Sequence, residues 1–384
     1  MELTVKQAEG LKIALQRYHN HDPYTIISGY AGTGKSTLVS FLIEALDIPK
    51  EDVAYVAYTG KASLVLKEKG CPNATTAHKL LYKAFPRDDG TFVYRIKRPL
   101  DHLYKLIIVD EVSMLPKEMW DLLLTHHIHV IALGDPGQLP PIGNENNVLD
   151  KPHIFLDEVM RQAQESEIIR LSMDIRAGKP LSLMQGNEVI IIDQKDMVNG
   201  MYTWADQILC GKNDTRFKVN DQIRETIWGT KDPTPVLGDK VICGHNDWKT
   251  FSEVEEQPLV NGLIGEICSL EKISLPVPHV GFVNLFKCGL VIEGGDGYAP
   301  LPMDAKLFKE HESTITKANY KYLKNISIKP FEYAYCITTH KSQGSEYKKV
   351  LVLEEWLRGS EHKRWLYTAC TRAAEKLVIV RNYR

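Results

Sequence analysis

A chain of 384 residues can bury sizeable cores and is long enough for two or three domains. Its 43% hydrophobic and 25% charged residues are an ordinary soluble balance, and no apolar run approaches the roughly 18 residues that exclude anything but a membrane span. A net charge of −2 argues against a globally basic nucleic-acid binder, although a local cationic channel can sit on a neutral protein.

Met1 to Gly10 are polar and mixed, which argues against a signal peptide. The seven cysteines (Cys71, Cys210, Cys243, Cys268, Cys288, Cys336 and Cys370) include no C-x-x-C pair. Their odd count and scatter argue against a zinc site or disulfide framework and point to a reducing cytosol.

In chain order, Tyr24 to Ser28 is a short β-prone run, followed by a glycine-rich turn and a helical stretch from Ser36 to Leu46. Val53 to Tyr58 reads as a strand and Lys61 to Lys69 as a helix. Asp88-Asp-Gly90 is a turn signal before the β-like Thr91 to Ile96, which together predict a small hairpin. Leu106 to Val109 and His129 to Leu133 have the continuous apolar character of buried parallel strands. Glu165 to Arg176 reads as a helix.

From about Gly238 to Lys329 the pattern changes to short β-prone runs separated by Gly and Pro: Lys240 to Cys243, Leu263 to Cys268, Val280 to Phe286 and Leu290 to Glu293. The α/β alternation then resumes, with strands at Tyr333 to Ile337, Lys349 to Leu353 and Lys376 to Val380 and a helix at Lys363 to Thr371. Two α/β domains with parallel sheets and an all-β insertion in the second are the simplest parse.

Gly29, Tyr30, Ala31, Gly32, Thr33, Gly34, Lys35 and Ser36 fit G-x-x-x-x-G-K-[ST], with a strand before and a helix, through Thr37, after. Glycines let such a loop fold into an anion-binding nest, and the helix N-terminus adds favourable partial charge. Lys35 can reach β- and γ-phosphates and Ser36 can ligate Mg²⁺, so ATP and Mg²⁺ are the expected ligands. The strand Leu106 to Val109 ends in Asp110 and Glu111, at the edge where such a sheet binds ligands. Asp110 suits Mg²⁺ and Glu111 suits polarising an attacking water. Glu111 favours hydrolysis over transfer to a small acceptor, the reaction of a P-loop kinase.

Further segments resemble the superfamily 1B helicases of the RecD/Dda-like group, phage or bacterial, and the resemblance runs from Gln7 to Arg372. Gln7 stands where that group reads adenine. Gly134-Asp135-Pro-Gly-Gln138-Leu139-Pro-Pro141 resembles motif III, whose Gln138 would sense the γ-phosphate. Leu156-Asp-Glu-Val-Met-Arg161-Gln162 resembles motif IV, with Arg161 reaching the γ-phosphate. Thr338-Thr339-His340-Lys341-Ser-Gln343-Gly344-Ser-Glu346 resembles motif V, bringing Gly344 and Glu346 to the nucleotide. Tyr367-Thr-Ala-Cys-Thr371-Arg372-Ala373 resembles motif VI, with Arg372 as second arginine finger.

The resemblance implies two RecA-like P-loop NTPase domains: 1–160, with a pin-like hairpin insertion about 84–104, and 161–237 with 331–384. An SH3-like β insertion would occupy 238–330, Asn261-Gly262 resembling a segment found there. It implies an ATP-dependent helicase that translocates on single-stranded DNA with 5′→3′ polarity.

Tyr58-Thr59-Gly60-Lys61-Ala62 resembles motif Ia, with Tyr58 in place of the usual proline, and Ala74-Thr-Thr76-Ala-His78 resembles motif Ib. Thr59, Gly60, Lys61, Thr76 and His78 would then hold the DNA backbone, as would Thr339, His340 and Lys341 on the second domain. Phe92, with Tyr94, occupies the pin position, where an aromatic either stacks on a base or packs the hairpin on its own domain. Two locally basic segments stay open between a DNA path and a solvated face: Lys83, Arg87, Arg95, Lys97 and Arg98, and Lys306, Lys309, Lys317, Lys321, Lys324 and Lys329, with Tyr320 and Tyr322.

The implied partners are single-stranded DNA, fork junctions and single-strand-binding or replication and recombination proteins, met by a monomer in bacterial or phage-infected host cytoplasm, without a membrane. The rival from another class is a nucleic-acid-binding regulator that uses ATP only as a conformational switch and unwinds nothing. Glu111, Arg161 and Arg372 weigh against it, because a pure switch can lose hydrolytic groups.

Overall fold

The computed structural model describes residues 3–86, 92–140, 148–232, 234–244, 246–254, 258–277, 281–292, 295–304, 328–357 and 359–383. The chain divides into two units, one of Met1–Ala84, Tyr94–Met197 and Ser342–Tyr383, the other of Phe85–Val93 and Val198–Lys341 with Arg384. No helix of the described residues is long and apolar enough to cross a membrane.

In the first unit, helix α1 (Val5–His19) starts from a capping box in which Thr4 and Gln7 satisfy each other's backbone N–H. Strand β1 (Tyr24–Gly29) leads to helix α2 (Lys35–Ala45), then β2 (Val53–Ala57), α3 (Gly60–Glu68), β3 (Ala74–Thr76) and α4 (Ala77–Leu81). β4 (Tyr82–Pro86) and β5 (Phe92–Ile96) pair as the expected hairpin. Its turn signal Asp88 to Gly90, with Arg87 and Thr91, lies outside the described residues. There follow β6 (Leu106–Val109), α5 (Lys117–Leu124), β7 (His129–Gly134), β8 (Ile154–Leu156), α6 (Arg161–Gln164), α7 (Glu167–Ala177), β9 (Met184–Gln185) and β10 (Val189–Asp193).

β3, β2, β6, β7, β1 and β8 form a six-stranded sheet in that order, every pairing parallel. β6 explains why so continuous an apolar run is needed. Leu106 and Ile108 enter one buried cluster, Ile107 and Val109 the other, because successive side chains point to opposite faces. Full burial of each such side chain stabilises by roughly 1.5–3 kcal/mol. A common direction puts the carboxyl ends of β1, β6 and β7 at one edge, and that edge carries the glycine-rich loop, Asp110 and Gly134-Asp135. The same unit aligns β9, β10, Ala373–Arg381 and Tyr347–Leu353 side by side, the last three parallel.

In the second unit, Gln207–Cys210 pairs in parallel with Cys336–Thr338, and an all-antiparallel sheet holds five strands. In order these are Gly297–Asp304, Gly281–Ile292, Ile264–Val277, Lys240–Cys243 and Phe331–Tyr333. Two expectations are corrected here. The runs Val280 to Phe286 and Leu290 to Glu293 are not separate strands, since residues 281–292 form one strand (Val280 and Glu293 lie outside the described residues). Gly289 between them marks an irregularity in pairing, with its N–H donating to Ser269 Oγ at 3.0 Å. A glycine inside a strand signals a bulge as readily as an end.

The run Tyr333 to Ile337 is not one strand either. Phe331–Tyr333 pairs with Lys240–Cys243, while Cys336–Thr338 pairs with Gln207–Cys210. Asn220 spans the break: Nδ2 donates to Tyr333 O at 3.4 Å and Cys336 O at 2.9 Å, and Oδ1 accepts the Cys336 N–H at 2.9 Å. Of the lysine-rich end, Lys306 to Lys324 with Tyr320 and Tyr322 lie outside the described residues. Lys329 is only 3% exposed and is ion-paired with Asp247, neither solvated nor free for another anion.

The second unit also buries Arg224 against Asp239, both side chains fully out of solvent. Nε and Nη2 donate to the two carboxylate oxygens at 3.0 and 3.1 Å, and Tyr335 Oη and Val236 N–H donate to the same carboxylate. Asp239→Ala leaves the guanidinium uncompensated and is expected to destabilise this unit by about 3–5 kcal/mol. Urea titration followed by far-UV circular dichroism checks this, and an unchanged midpoint would contradict it.

Candidate functional site

The loop between β1 and α2 is shaped by Gly32 and Gly34, at φ +75° and +76°, a region that L side chains rarely adopt. A Cβ on Gly34 would lie 2.3 Å from Gln7 Nε2 and 2.6 Å from Met160 Sδ. Gly29 is similarly confined, its absent Cβ 2.8 Å from both Leu156 O and Thr33 Oγ1. Thr33 Oγ1 donates to Tyr30 O at 2.8 Å, and Lys35 Nζ donates to Gly29 O at 2.7 Å and Tyr30 O at 2.9 Å. The lysine head thus lies across its own loop, beside the first turn of α2 that carries Ser36 and Thr37. Gln7 is 1% exposed, and its amide is spent on structure: Oε1 accepts the Thr4 N–H at 2.9 Å and Nε2 donates to Thr33 O at 3.1 Å.

Burial pushes the Lys35 pKa down, opposed by the charges of Asp135, Asp110 and Glu111. Asp110 follows β6 directly and accepts the Glu111 N–H on Oδ1 at 3.0 Å. Glu111 itself sits at φ +48°, left-handed backbone for a non-glycine residue. Burial pushes its pKa up, countered first by the Arg372 charge.

Arg372 Nη1 lies 3.6 Å from Glu111 Oε1. Arg372 is 6% exposed, and its guanidinium donates to backbone oxygens, Nε to Thr368 O at 3.2 Å and Nη1 to Ser345 O at 3.2 Å. Ser36, Asp110, Glu111, Gly344, Glu346 and Arg372 line one open cavity of about 230 Å³, with Thr59 and Lys69 on its wall. Glu346 reaches Lys69 at 3.8 Å. Gly344, at φ +73°, lets its loop close on α3, since a Cβ there would be 2.8 Å from Ala62 Cβ. The donors fit Mg²⁺, which takes hard oxygen ligands and completes its shell with water and phosphate. Among the described residues no cluster of three or more His, Cys, Asp or Glu is placed to hold a metal by itself. Gln138 follows β7, half-buried, in the loop after Asp135. Arg161 opens α6, but its side chain is outside what the structure describes, as are Phe92's side chain and Pro141.

Of the residues expected at DNA, Thr59 caps α3 by accepting the Ala62 N–H, Gly60 is buried behind it, and Lys61 Nζ lies 4.7 Å over the Tyr347 ring. Thr76 is fully buried and caps α4. His78 is half-buried between the rings of Tyr58 and Tyr82, and burial pushes its pKa down, favouring the neutral imidazole. Tyr94 is 57% exposed on the hairpin. In the second unit Thr339 is buried and donates to Cys210 O at 3.3 Å, His340 is half-buried, and Lys341 is ion-paired with Glu332, which also takes Arg216. Burial pushes the Lys341 pKa down, opposed by Glu332.

Five residues quoted only as parts of motifs, Asp135, Leu139, Gln343, Tyr367 and Thr368, prove to join the site loops. Leu139 N–H donates to Thr368 Oγ1 and Leu139 O accepts from Gln343 Nε2, both at 2.8 Å. Tyr367 Oη donates to Asp135 Oδ2 at 2.7 Å and accepts the Ala31 N–H at 2.9 Å. The motif strings carried these residues, but no local pattern marks side-chain partners that lie 204 to 336 positions apart.

Known proteins resemble this arrangement. The AAA domain family matches residues 2–201 and the UvrD-like helicase C-terminal domain family residues 333–380. The chain is 28% identical over 285 residues to the ATP-dependent DNA helicase dda of Enterobacteria phage T4, covering 67% of this chain and 64% of that one. It is 25% identical over 368 residues to the ATP-dependent RecD2 DNA helicase of Deinococcus radiodurans, covering 91% and 46% respectively. An uncharacterized protein of Methanocaldococcus jannaschii is 24% identical, with 92% of this chain and 36% of that one covered. The chain therefore spans between 36% and 64% of the length of these relatives. A crystal structure of the Pif1 helicase from Bacteroides in complex with ADP-AlF3 and ssDNA aligns with a TM-score of 0.53 at 17% identity, covering 99% of this chain and 92% of that one. That likeness is one of fold: α/β, with two RecA-like domains.

The Gly344 contact gives a controlled prediction. Gly178→Ala, at φ +77° and ψ +19° in open space, should carry only the left-handed backbone cost of about 1–2 kcal/mol. Gly344→Ala adds a clash with Ala62 and should lower the thermal unfolding midpoint further, with equal shifts counting against the close approach.

Proposed function

We infer that this chain, which belongs to the AAA domain family and groups with the superfamily 1B helicases related to RecD, Dda and Pif1, is an ATP-dependent DNA helicase that translocates on single-stranded DNA. One observation carries the reading. The phosphate loop's Ser36, the acidic pair Asp110 and Glu111, and Arg372 line a single cavity, with Arg372 3.6 Å from Glu111. A phosphate site alone suits many enzymes. A guanidinium from a separate strand–helix region, poised over the base, suits hydrolysis that responds to movement of that region.

The roles follow from chemistry. Lys35 and the loop N–H groups would take the β- and γ-phosphates, with Gly29, Tyr30, Ala31, Gly32, Thr33, Gly34 and Thr37 shaping the cradle. Ser36 and Asp110 would hold Mg²⁺, which when bound neutralises phosphate charge. Glu111 would take the proton of the attacking water. Arg372, with Arg161, would stabilise the charge that develops on the transferred phosphoryl group. Gln138 would respond to the terminal phosphate. Gln7 would serve adenine through the loop it supports at Thr33, since its amide oxygen and one N–H are engaged.

DNA would be held through its phosphates, by Thr59, Gly60, Lys61, Thr76 and His78 of the first unit and by Thr339, His340 and Lys341 of the second, with the Phe92 hairpin as the separating wedge. The motor would be a monomer moving 5′→3′, meeting fork junctions and single-strand-binding or replication and recombination proteins. Its domains would be 1–160, 161–237 with 331–384, and an SH3-like insertion at 238–330.

Strand separation on 5′-tailed, 3′-tailed and forked duplexes tests the activity. Unwinding from the 5′ tail, dependent on ATP, is expected; unwinding only from a 3′ tail would remove the polarity. Lys35→Ala should still bind single-stranded DNA and lose ATP turnover, whereas undiminished turnover would sink the site assignment.

The raised Glu111 pKa predicts a pH effect. A base must be ionised, so turnover holds above the raised value and falls as pH drops through it. The acid limb of the kcat/KM profile, which reports the free enzyme, is therefore expected above the usual carboxylate range. A limb within that range would argue against Glu111 as the base.

A further inference from the structure

Two neighbouring side chains of the Ser360–Cys370 helix have no part in the roles above. Tyr367 is 1% exposed, and its hydroxyl has a fully specified surrounding. It donates to Asp135 Oδ2 at 2.7 Å and accepts the Ala31 N–H at 2.9 Å. The other Asp135 oxygen accepts the Gly137 N–H at 2.8 Å. An acceptor-only carboxylate on one side and an N–H on the other leave the hydroxyl one orientation. Burial, reinforced by the Asp135 charge, pushes the phenol pKa up and keeps its proton in place. One residue on, Thr368 Oγ1 accepts the Leu139 N–H at 2.8 Å while donating to Arg364 O at 2.7 Å. The helix is thereby fastened at both ends of the loop that carries Gln138.

We propose that Tyr367 is a positioning residue for ATP hydrolysis, whose hydroxyl locks the Ala31 corner of the phosphate loop to Asp135 and so sets how Arg372, at the end of the same helix, meets Glu111. The proposal rests on the ATP-hydrolysing reading given above. Among the described residues the Arg372 guanidinium meets the backbone oxygens of Thr368 and Ser345, the Thr371 hydroxyl and the Glu111 carboxylate, and the first of these belongs to the helix itself. Its reach therefore depends on where the helix is held. A displacement of about 1 Å at a reacting group can cost about 100-fold in rate with little effect on ground-state binding. The hydroxyl should accordingly act on kcat rather than on KM.

Tyr367→Phe in the full chain is the test, since it keeps the ring and removes only the oxygen. With Mg²⁺ and single-stranded DNA, kcat for ATP should fall about tenfold while KM stays within about twofold. Hydrogen exchange of the peptide covering Ala31, measured without nucleotide, should quicken in the variant. Unchanged exchange at Ala31 or an unchanged kcat overturns the proposal. So does a fall in kcat accompanied by a matching rise in KM and a lower unfolding midpoint, the pattern of lost packing. A parent chain without ATP turnover would sink the functional reading itself, whereas identical Ala31 exchange in parent and variant sinks only the role of the hydroxyl.

Discussion

The site depends on keeping two cations and three carboxylates together in a poorly hydrated edge of a sheet. Lys35 loses hydration, and its charge is sustained by Asp135, Asp110 and Glu111. Glu111 is desolvated as well and is held towards its ionised form chiefly by Arg372. Neither sign is tolerable there without the other, because an isolated charge in such surroundings neutralises or stays in water. The backbone is bent to suit. Glu111 adopts a left-handed conformation that no side chain of its size favours, and Gly34 and Gly344 occupy places where a Cβ would collide. Strain of this kind persists where the surroundings over-determine it.

The loops that bear these charges are joined by polar side chains rather than by a shared apolar core. Gln7 ties α1 to Thr33, Tyr367 ties the Ser360–Cys370 helix to Ala31 and Asp135, and Leu139 is held by both its N–H and its carbonyl. Such bonds are directional and individually modest, about 0.5–1.5 kcal/mol net for neutral partners. A set of them can shift together between discrete arrangements, whereas close-packed apolar faces resist small displacements. The sheet beneath, with β6 buried on both faces, supplies the rigid reference against which they act.

The second unit uses polar groups differently, to hold a chain that changes sheets. Asn220 grips both sides of the break after Tyr333, and the Arg224–Asp239 pair is closed by Tyr335 and Val236. Glu332 takes both Arg216 and Lys341, so the lysine beside Thr339 and His340 shares a single carboxylate with a second cation.

What the sequence by itself determined is what neighbouring residues decide among themselves. Glycines at fixed offsets before Lys35 and Ser36 make a phosphate loop because only they reach the required dihedral angles. Leu106 to Val109 make a buried strand because no polar side chain interrupts them, and that strand delivers Asp110 and Glu111 to the sheet edge. Where a signal had two local meanings, the tertiary structure chose. Gly289 became an irregularity within a strand rather than its end, and Tyr333 to Ile337 were divided because their backbone found partners in two sheets. Lys329, one of a run of lysines by composition, was claimed by Asp247 far away in sequence. Only the folded chain, too, could bring Tyr367 to Ala31 and Arg372 to Glu111, because a side chain's partner across hundreds of residues is set by the packing of whole elements, which no local spacing encodes.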